Sequence, residues 1–203
     1  MNAEGQWVAA ATRGDQRAFA LLVDAYQVPV YNLCYRMLGN PGDAEDAAQE
    51  TFVRVYTHLR SYNPQQKLSS WILAVASHYC IDRLRRQHIK WLSLDEALPV
   101  PAETQDVALP EDSLMERESY AEIQALLQTL PPEYRLVIAL RYWQDLSYEE
   151  IARVVGATES AVKSRLHRAR DILADGVRGQ RAREAAAGSP VKNGKRVMTN
   201  AVL

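Results

Sequence analysis

Apolar side chains recur along this chain at intervals of three and four residues. Phe19, Leu22, Val23 and Tyr26 form one run and Phe52, Val55, Tyr56 and Leu59 another, the spacing that lays side chains along one face of an α-helix. No stretch of useful length alternates with the period of two that a strand needs. Breaks fall where turn chemistry intervenes: "GNPGD" at residues 39–43 marks a tight turn, and "SYNPQQKLSS" at 61–70 a loop with Pro64 as its breaker. Residues 1–91 are therefore predicted to form a first, helical domain. Residues 92–115 carry Pro99, Pro101 and Pro110, many carboxylates and no aromatic side chain. Such a segment buries too little apolar surface to offset the entropy of ordering, so a flexible linker is expected. Helical periodicity returns over 116–178, where Pro131 and Pro132 end one helix and open the next at its tolerant first turn. Residues 179–203, rich in Gly, Ala, Lys and Arg, are expected to be a disordered tail. The fold class predicted is all-α, as two small helical domains joined by a flexible acidic linker.

Charge changes this picture more than composition does. The chain is 47% hydrophobic and 24% charged, ordinary for a globular protein, and its net charge of -1 conceals a segregation. Residues 92–119 hold eight carboxylates against the single cation Arg117, whereas residues 163–183 hold seven Lys and Arg against Asp171 and Asp175. A basic helix end is the electrostatic footprint of a polyanion partner.

Other chemistry is sparse. Cys34 and Cys80 stand far apart among apolar neighbours, as buried free thiols do, with no metal-ligand spacing around them. The histidines 58, 78, 88 and 167 are scattered. A phosphate-cradling glycine loop, a zinc-protease helix motif and a nucleophile-base signature are all lacking. The reading is a non-enzymatic protein with no cofactor, no metal and no small-molecule substrate. With no secretion signal and no apolar run near the roughly 20 residues of a membrane span, a cytoplasmic location is expected.

The stretch "EEIARVVGATESAVKSRLHRAR" at residues 149–170 opens acidic and closes basic. Ile151, Ala152 and Val155 give one apolar stripe, and Gly156 can take the positive φ that stops a helix. Thr158 suits an N-cap and Glu159 the positive end of the next helix dipole. Two helices joined by a short glycine turn make a helix-turn-helix. On the second helix Val162, Leu166, Ala169 and Leu173 fall on one stripe, and Ser160, Lys163, Ser164, His167, Arg168 and Asp171 on the opposite face. Short polar and basic groups of this kind meet base edges and phosphates.

Two blocks now carry a resemblance. "DAEDAAQETFVRVY" at 43–56 with "WILAVASHYCIDRLRRQ" at 71–87, followed after the acidic segment by residues 130–170, resemble the extracytoplasmic-function (ECF) group of the bacterial sigma-70 family. These sigma factors retain regions 2 and 4. The resemblance implies an alternative sigma factor that binds core RNA polymerase, directs it to promoters through their -35 and -10 elements, and is restrained by an anti-sigma factor, often anchored at the membrane. By that resemblance Asp43, Glu45, Asp46, Gln49, Glu50, Val53 and Arg54 belong to the surface that meets the beta-prime clamp helices, and the beta subunit is a further partner. Tyr62, Asn63, Trp71, His78, Arg83, Arg85 and Arg86 match the elements that hold the -10 strand, where relatives often carry Asn in place of His78. Ser160, Lys163, Ser164, Arg165, His167, Arg168 and Arg170 match the -35 reader, with Arg165 and Arg170 flanking as phosphate contacts. The alternative reading is a helix-turn-helix transcriptional regulator with an N-terminal sensing or interaction domain, which leaves the 43–86 blocks without an explanation.

Overall fold

The computed structural model describes the backbone of residues 3–93 and 114–186, and side chains within 3–87 and 120–179. Among these residues every regular element is helical: α1 (Ala3–Thr12), α2 (Gln16–Leu38), α3 (Pro41–His58), a 3-10 turn (Leu59–Ser61), α4 (Leu68–Ser93), α5 (Leu114–Gln128), α6 (Pro132–Tyr142), α7 (Tyr148–Val155) and α8 (Glu159–Ala186).

Local chemistry explains the boundaries. Asp15 accepts the N–H groups of Arg17 (2.9 Å) and Ala18 (3.2 Å), which starts α2. At its other end Gly39 takes φ +79° and donates its N–H to the Tyr35 carbonyl, and Asn40 at once caps α3 by accepting from Asp43, with Pro41 at the first helical position. The expected "GNPGD" turn is thus a glycine stop and an asparagine start joined directly. Helix α7 begins with a reciprocal capping box between Ser147 and Glu150 and ends at Gly156, φ +63°.

Helices α1 to α4 bury Leu22, Val30, Leu33, Met37, Val55 and Ile72, and α5 to α8 bury Leu127, Leu130, Val137, Leu140, Ile151 and Leu166. These two groups are continuous: α2 packs on α5 and α6, and α4 on α6 and α7. Three boundaries differ from the reading of the sequence. Helix α8 runs to Ala186, past residue 179 at which a disordered tail is expected to begin, and the expected linker is shortened at both ends, where α4 reaches Ser93 and α5 begins at Leu114. The basic residues after 178 keep good helix formers among them, so a helix already nucleated by its buried stripe continues at little cost. Residues 94–113 of the expected linker at 92–115, and residues 187–203 of the expected tail at 179–203, lie outside the described residues.

The contact between the two groups is polar at its centre. Beyond Tyr35, whose carbonyl already accepts from the Gly39 N–H, helix α2 ends with carbonyls that its own backbone does not supply. Gln124 Nε2 donates to the Tyr35 carbonyl (3.0 Å) and the Arg36 carbonyl (3.3 Å), Gln128 Nε2 to the Arg36 carbonyl (3.3 Å), and Arg135 to the Met37 carbonyl. Arg135 also donates to the Gln128 side chain and to the carbonyls of Gln128 and Leu130, both at 3.0 Å. Its guanidinium has no carboxylate partner among these bonds, and burial lowers its pKa to about 10, which leaves it cationic at neutral pH. In return Arg36 of α2 inserts under the Trp143 ring (4.5 Å to the centroid) and near Tyr120 (5.9 Å). Unpairing one buried donor or acceptor here costs about 1–3 kcal/mol.

Two glycines with positive φ separate local strain from this contact. A Cβ at Gly156 meets nothing within 4 Å, whereas one at Gly39 meets Gln128 Nε2 at 2.8 Å. Gly156→Ala is expected to lower stability by about 1–2 kcal/mol, the strain of one left-handed residue. Gly39→Ala should lose more, because it also displaces a cap of α2; urea unfolding of the two variants side by side checks the order.

Candidate nucleic-acid and polymerase interfaces

The helix-turn-helix is built as its residues dictate. Val162, Leu166, Ala169 and Leu173 are buried against α6 and α7, and Thr158 accepts from the Ala161 N–H at 3.2 Å. Ser160, Lys163, Ser164, His167 and Arg168 then share one exposed face. His167 Nδ1 donates to Asp171 Oδ2 at 2.8 Å, which fixes the ring on the exposed side of the helix. The Tyr134 hydroxyl beside Arg168 raises that guanidinium's pKa further. Lys163 lies 3.9 Å from Glu159, an exposed pair too weak to hold it back from a phosphate. Arg165 and Arg170 sit apart, both half-buried. Arg170 Nε donates to the Tyr142 hydroxyl at 3.0 Å, so its charge is already engaged in packing α8 on α6.

The seven residues expected on the polymerase-facing surface divide into two sets. Glu45, Asp46, Gln49 and Val53 lie on one exposed face of α3, with Val53 59% exposed and Tyr56 47%. Asp43, Glu50 and Arg54 turn toward α4: Asp43 pairs with Arg83, Glu50 with Arg54 at 2.9 Å, and the Arg54 guanidinium lies 4.8 Å from the Tyr79 ring centroid. Spacing on α3 carries this division, since residues 45, 49 and 53 are one stripe and 43, 50 and 54 another.

The expected -10 residues divide as well. Tyr62 and Trp71 stack obliquely with centroids 5.3 Å apart, and the Tyr62 hydroxyl donates to the Gln66 carbonyl at 2.6 Å. Asn63 Oδ1 accepts from the Gln65 N–H at 3.0 Å, so the loop before α4 is held by its own side chains. Trp71, His78 and Arg85 recur at intervals of seven, and His78 and Arg85 are exposed. Arg83 points away from that stripe by about 120–160°, to Asp43. With Tyr79, Arg86 and Gln87 it lines a shallow depression of about 220 Å³ on α4. Tyr79 and Gln87 were missed in the sequence, although the 79, 83, 86, 87 spacing is a helix face.

Lys67 was missed too. Its Nζ lies 2.6 Å from Glu150 Oε1, across the two helical groups. The Lys67 ammonium, followed by the Ser147 N–H, holds the Glu150 carboxyl down at about 2. Lys67 has no local signal, because its partner is far along the chain.

Among the described residues, no helix is long and apolar enough to cross a membrane, and no group of three His, Cys, Asp or Glu side chains could hold a metal ion.

Comparison with known proteins identifies the regions to which the two helical groups belong. Residues 22–89 match the family described as Sigma-70 region 2, and residues 120–173 the one described as Sigma-70, region 4. The chain is 39% identical over 167 residues to the ECF RNA polymerase sigma factor SigW of Bacillus subtilis, covering 79% of this chain and 89% of that one. It is 30% identical over 174 residues to the RNA polymerase sigma-H factor of Pseudomonas aeruginosa, covering 83% and 90%. Its fold superposes on CnrH, solved in complex with the cytosolic domain of CnrY, with a TM-score of 0.65 at 25% identity, covering 88% of this chain and 99% of that one. The chain belongs to the sigma-70 family. Within it, this is an ECF sigma factor, an alternative, non-enzymatic transcription-initiation subunit. The regulator reading is not favoured, because it has no place for the region 2 match.

Glu150 supplies a pH test. Its carboxyl is held below the 4.5 of an unperturbed glutamate, so its contribution is complete above that value and declines as pH falls toward about 2. Thermal unfolding should therefore show Glu150→Gln less stable than the parent at pH 7, with the gap closing between pH 4.5 and 2. A gap independent of pH would contradict the assignment.

Proposed function

We propose that the exposed face of α8 reads the -35 element as duplex, with Lys163, Ser164, His167 and Arg168 at base edges and phosphates and Ser160 at the helix start. Arg165 flanks this face as a phosphate contact, and Arg170 reaches the backbone only by leaving Tyr142. Tyr62, Asn63, Trp71 and His78, with Arg85 and Arg86, hold the unpaired -10 strand through stacking and backbone cations. Arg83 serves that surface indirectly, by fixing α4 to α3 through Asp43. Glu45, Asp46, Gln49 and Val53 dock on the beta-prime clamp helices, with Asp43, Glu50 and Arg54 bracing the helix that presents them. The chain works in the cytoplasm as two regions spanning polymerase and promoter, and an anti-sigma factor restrains it. CnrH, solved with the cytosolic domain of CnrY, supports the last point.

The observation that carries this reading is the pairing on α8 of a buried stripe, Val162 to Leu173, with an opposite polar and basic face open to solvent. Run-off transcription with bacterial core polymerase on a promoter library tests it. Selective initiation is expected with the chain present, and Lys163→Ala with Arg168→Ala should reduce it by at least about tenfold, since each lost base or phosphate contact is worth roughly 1–3 kcal/mol. Undiminished selectivity in that double variant would remove α8 from the -35 site.

A further inference from the structure

The charged and polar side chains of the exposed α8 face are held in two different ways. Lys163 has Glu159 at 3.9 Å and His167 has Asp171 at 2.8 Å, in each case a carboxylate on the next turn of the same helix. Arg168 has no such partner. Its guanidinium donates instead to the hydroxyl of Tyr134, which reaches it from the start of α6. The Tyr134 ring packs against the core and α6 packs along α8, so that hydroxyl stands on a fixed base. The two kinds of partner act differently. A carboxylate beside a cation offsets part of its charge and competes with phosphates and base acceptors for its N–H groups. A neutral phenol accepts one N–H and takes away no charge. Because a guanidinium carries five donors in a rigid plane, one bond to Tyr134 orients that plane and leaves a paired edge for the two acceptors that a guanine presents in the major groove. Orienting the side chain beforehand also removes part of the entropy cost of ordering it on DNA.

We infer that Tyr134 is a positioning residue of the -35 reader: it aims Arg168 at the edge of one base pair, and without it Arg168 becomes an undirected phosphate contact. The inference rests on the reading of α8 above and adds the residue that sets base choice there. The tyrosine at the other end of α6 makes the contrast. Tyr142 accepts from Arg170 Nε at 3.0 Å, but that arginine is half-buried, and the bond packs α8 on α6. Arg168 is exposed, so the same pairing of phenol and guanidinium serves packing at one site and readout at the other. Exposure of the arginine decides which.

Position-resolved run-off transcription tests this, with core polymerase, the full chain and a promoter library randomised over the -35 and -10 elements, each member tagged in its transcript. Tyr134→Phe keeps the packed ring and removes the acceptor. It is expected to flatten base preference at one -35 position by about three- to tenfold, the effect of freeing one immobilised side chain. The -10 preferences and the thermal unfolding midpoint should stay as in the parent. Arg168→Ala should abolish preference at that same position, and Tyr134→Phe should add nothing in its background. Tyr142→Phe, the matched deletion at the buried pair, should lower the midpoint and leave every base preference unchanged. Preferences unaltered in Tyr134→Phe, a uniform fall across all sequences, additive effects with Arg168→Ala, or the same flattening in Tyr142→Phe would each overturn the assignment. A parent chain that gives core polymerase no selective initiation would instead sink the sigma-factor reading, and Arg168→Ala with all -35 preferences intact would remove Arg168 from the base-reading face.

Discussion

The last carbonyls of α2 have no partner within their own helix, and the rest of the structure is arranged around supplying them. A helix end buried without donors carries a desolvation penalty for each orphan group. Here the donors are side chains from residues 124, 128 and 135, some ninety positions further along the chain. Arg135 suits the task because its guanidinium reaches the ends of two helices at once, the Met37 carbonyl and those of Gln128 and Leu130. The dipoles of those helix ends supply the negative potential that a carboxylate would. Gly39 belongs to the same device: its positive φ stops α2, and its missing Cβ leaves room for Gln128.

From that joint follows the disposition of the surfaces. Docking α5 and α6 on α2 carries α7 onto α4, and the capping box that starts α7 sets Glu150 against Lys67. One carboxylate thereby closes two structures, the local helix start and the contact between groups. Helix α8 is carried on the far side of α6 and α7, so its buried stripe is spent inside its own group and its polar face stays outward. Helix α3 likewise uses its inner stripe on α4, through Asp43 and Arg83, and leaves Glu45, Asp46, Gln49 and Val53 free.

The helices, their caps and the division of each into inner and outer faces were legible in the chain, because those features depend on residues three or four apart. On α8 the spacing alone places Ser160, Lys163, Ser164, His167 and Arg168 on the exposed side. Within the groups that the resemblance implies, the structure draws a further distinction: Asp43, Glu50 and Arg54 share a helix with Glu45 and Gln49 but point elsewhere, and Arg170 is held by Tyr142. A helix turns 100° per residue, so neighbours in sequence are seldom neighbours on a face.

Sequence alone therefore determined the all-helical class, the helix-turn-helix with its glycine stop, and which side chains α8 turns outward, since each rests on short-range periodicity and capping. Tertiary structure alone decided that Lys67 meets Glu150, that Arg36 and Arg135 cross between the two groups, and that Asp43 of α3 meets Arg83 of α4. Most of those contacts join residues about 80 to 100 positions apart. Nothing local selects their partners: a buried arginine among carbonyls, or a lysine at a loop end, looks in sequence like any solvated cation until packing removes its water.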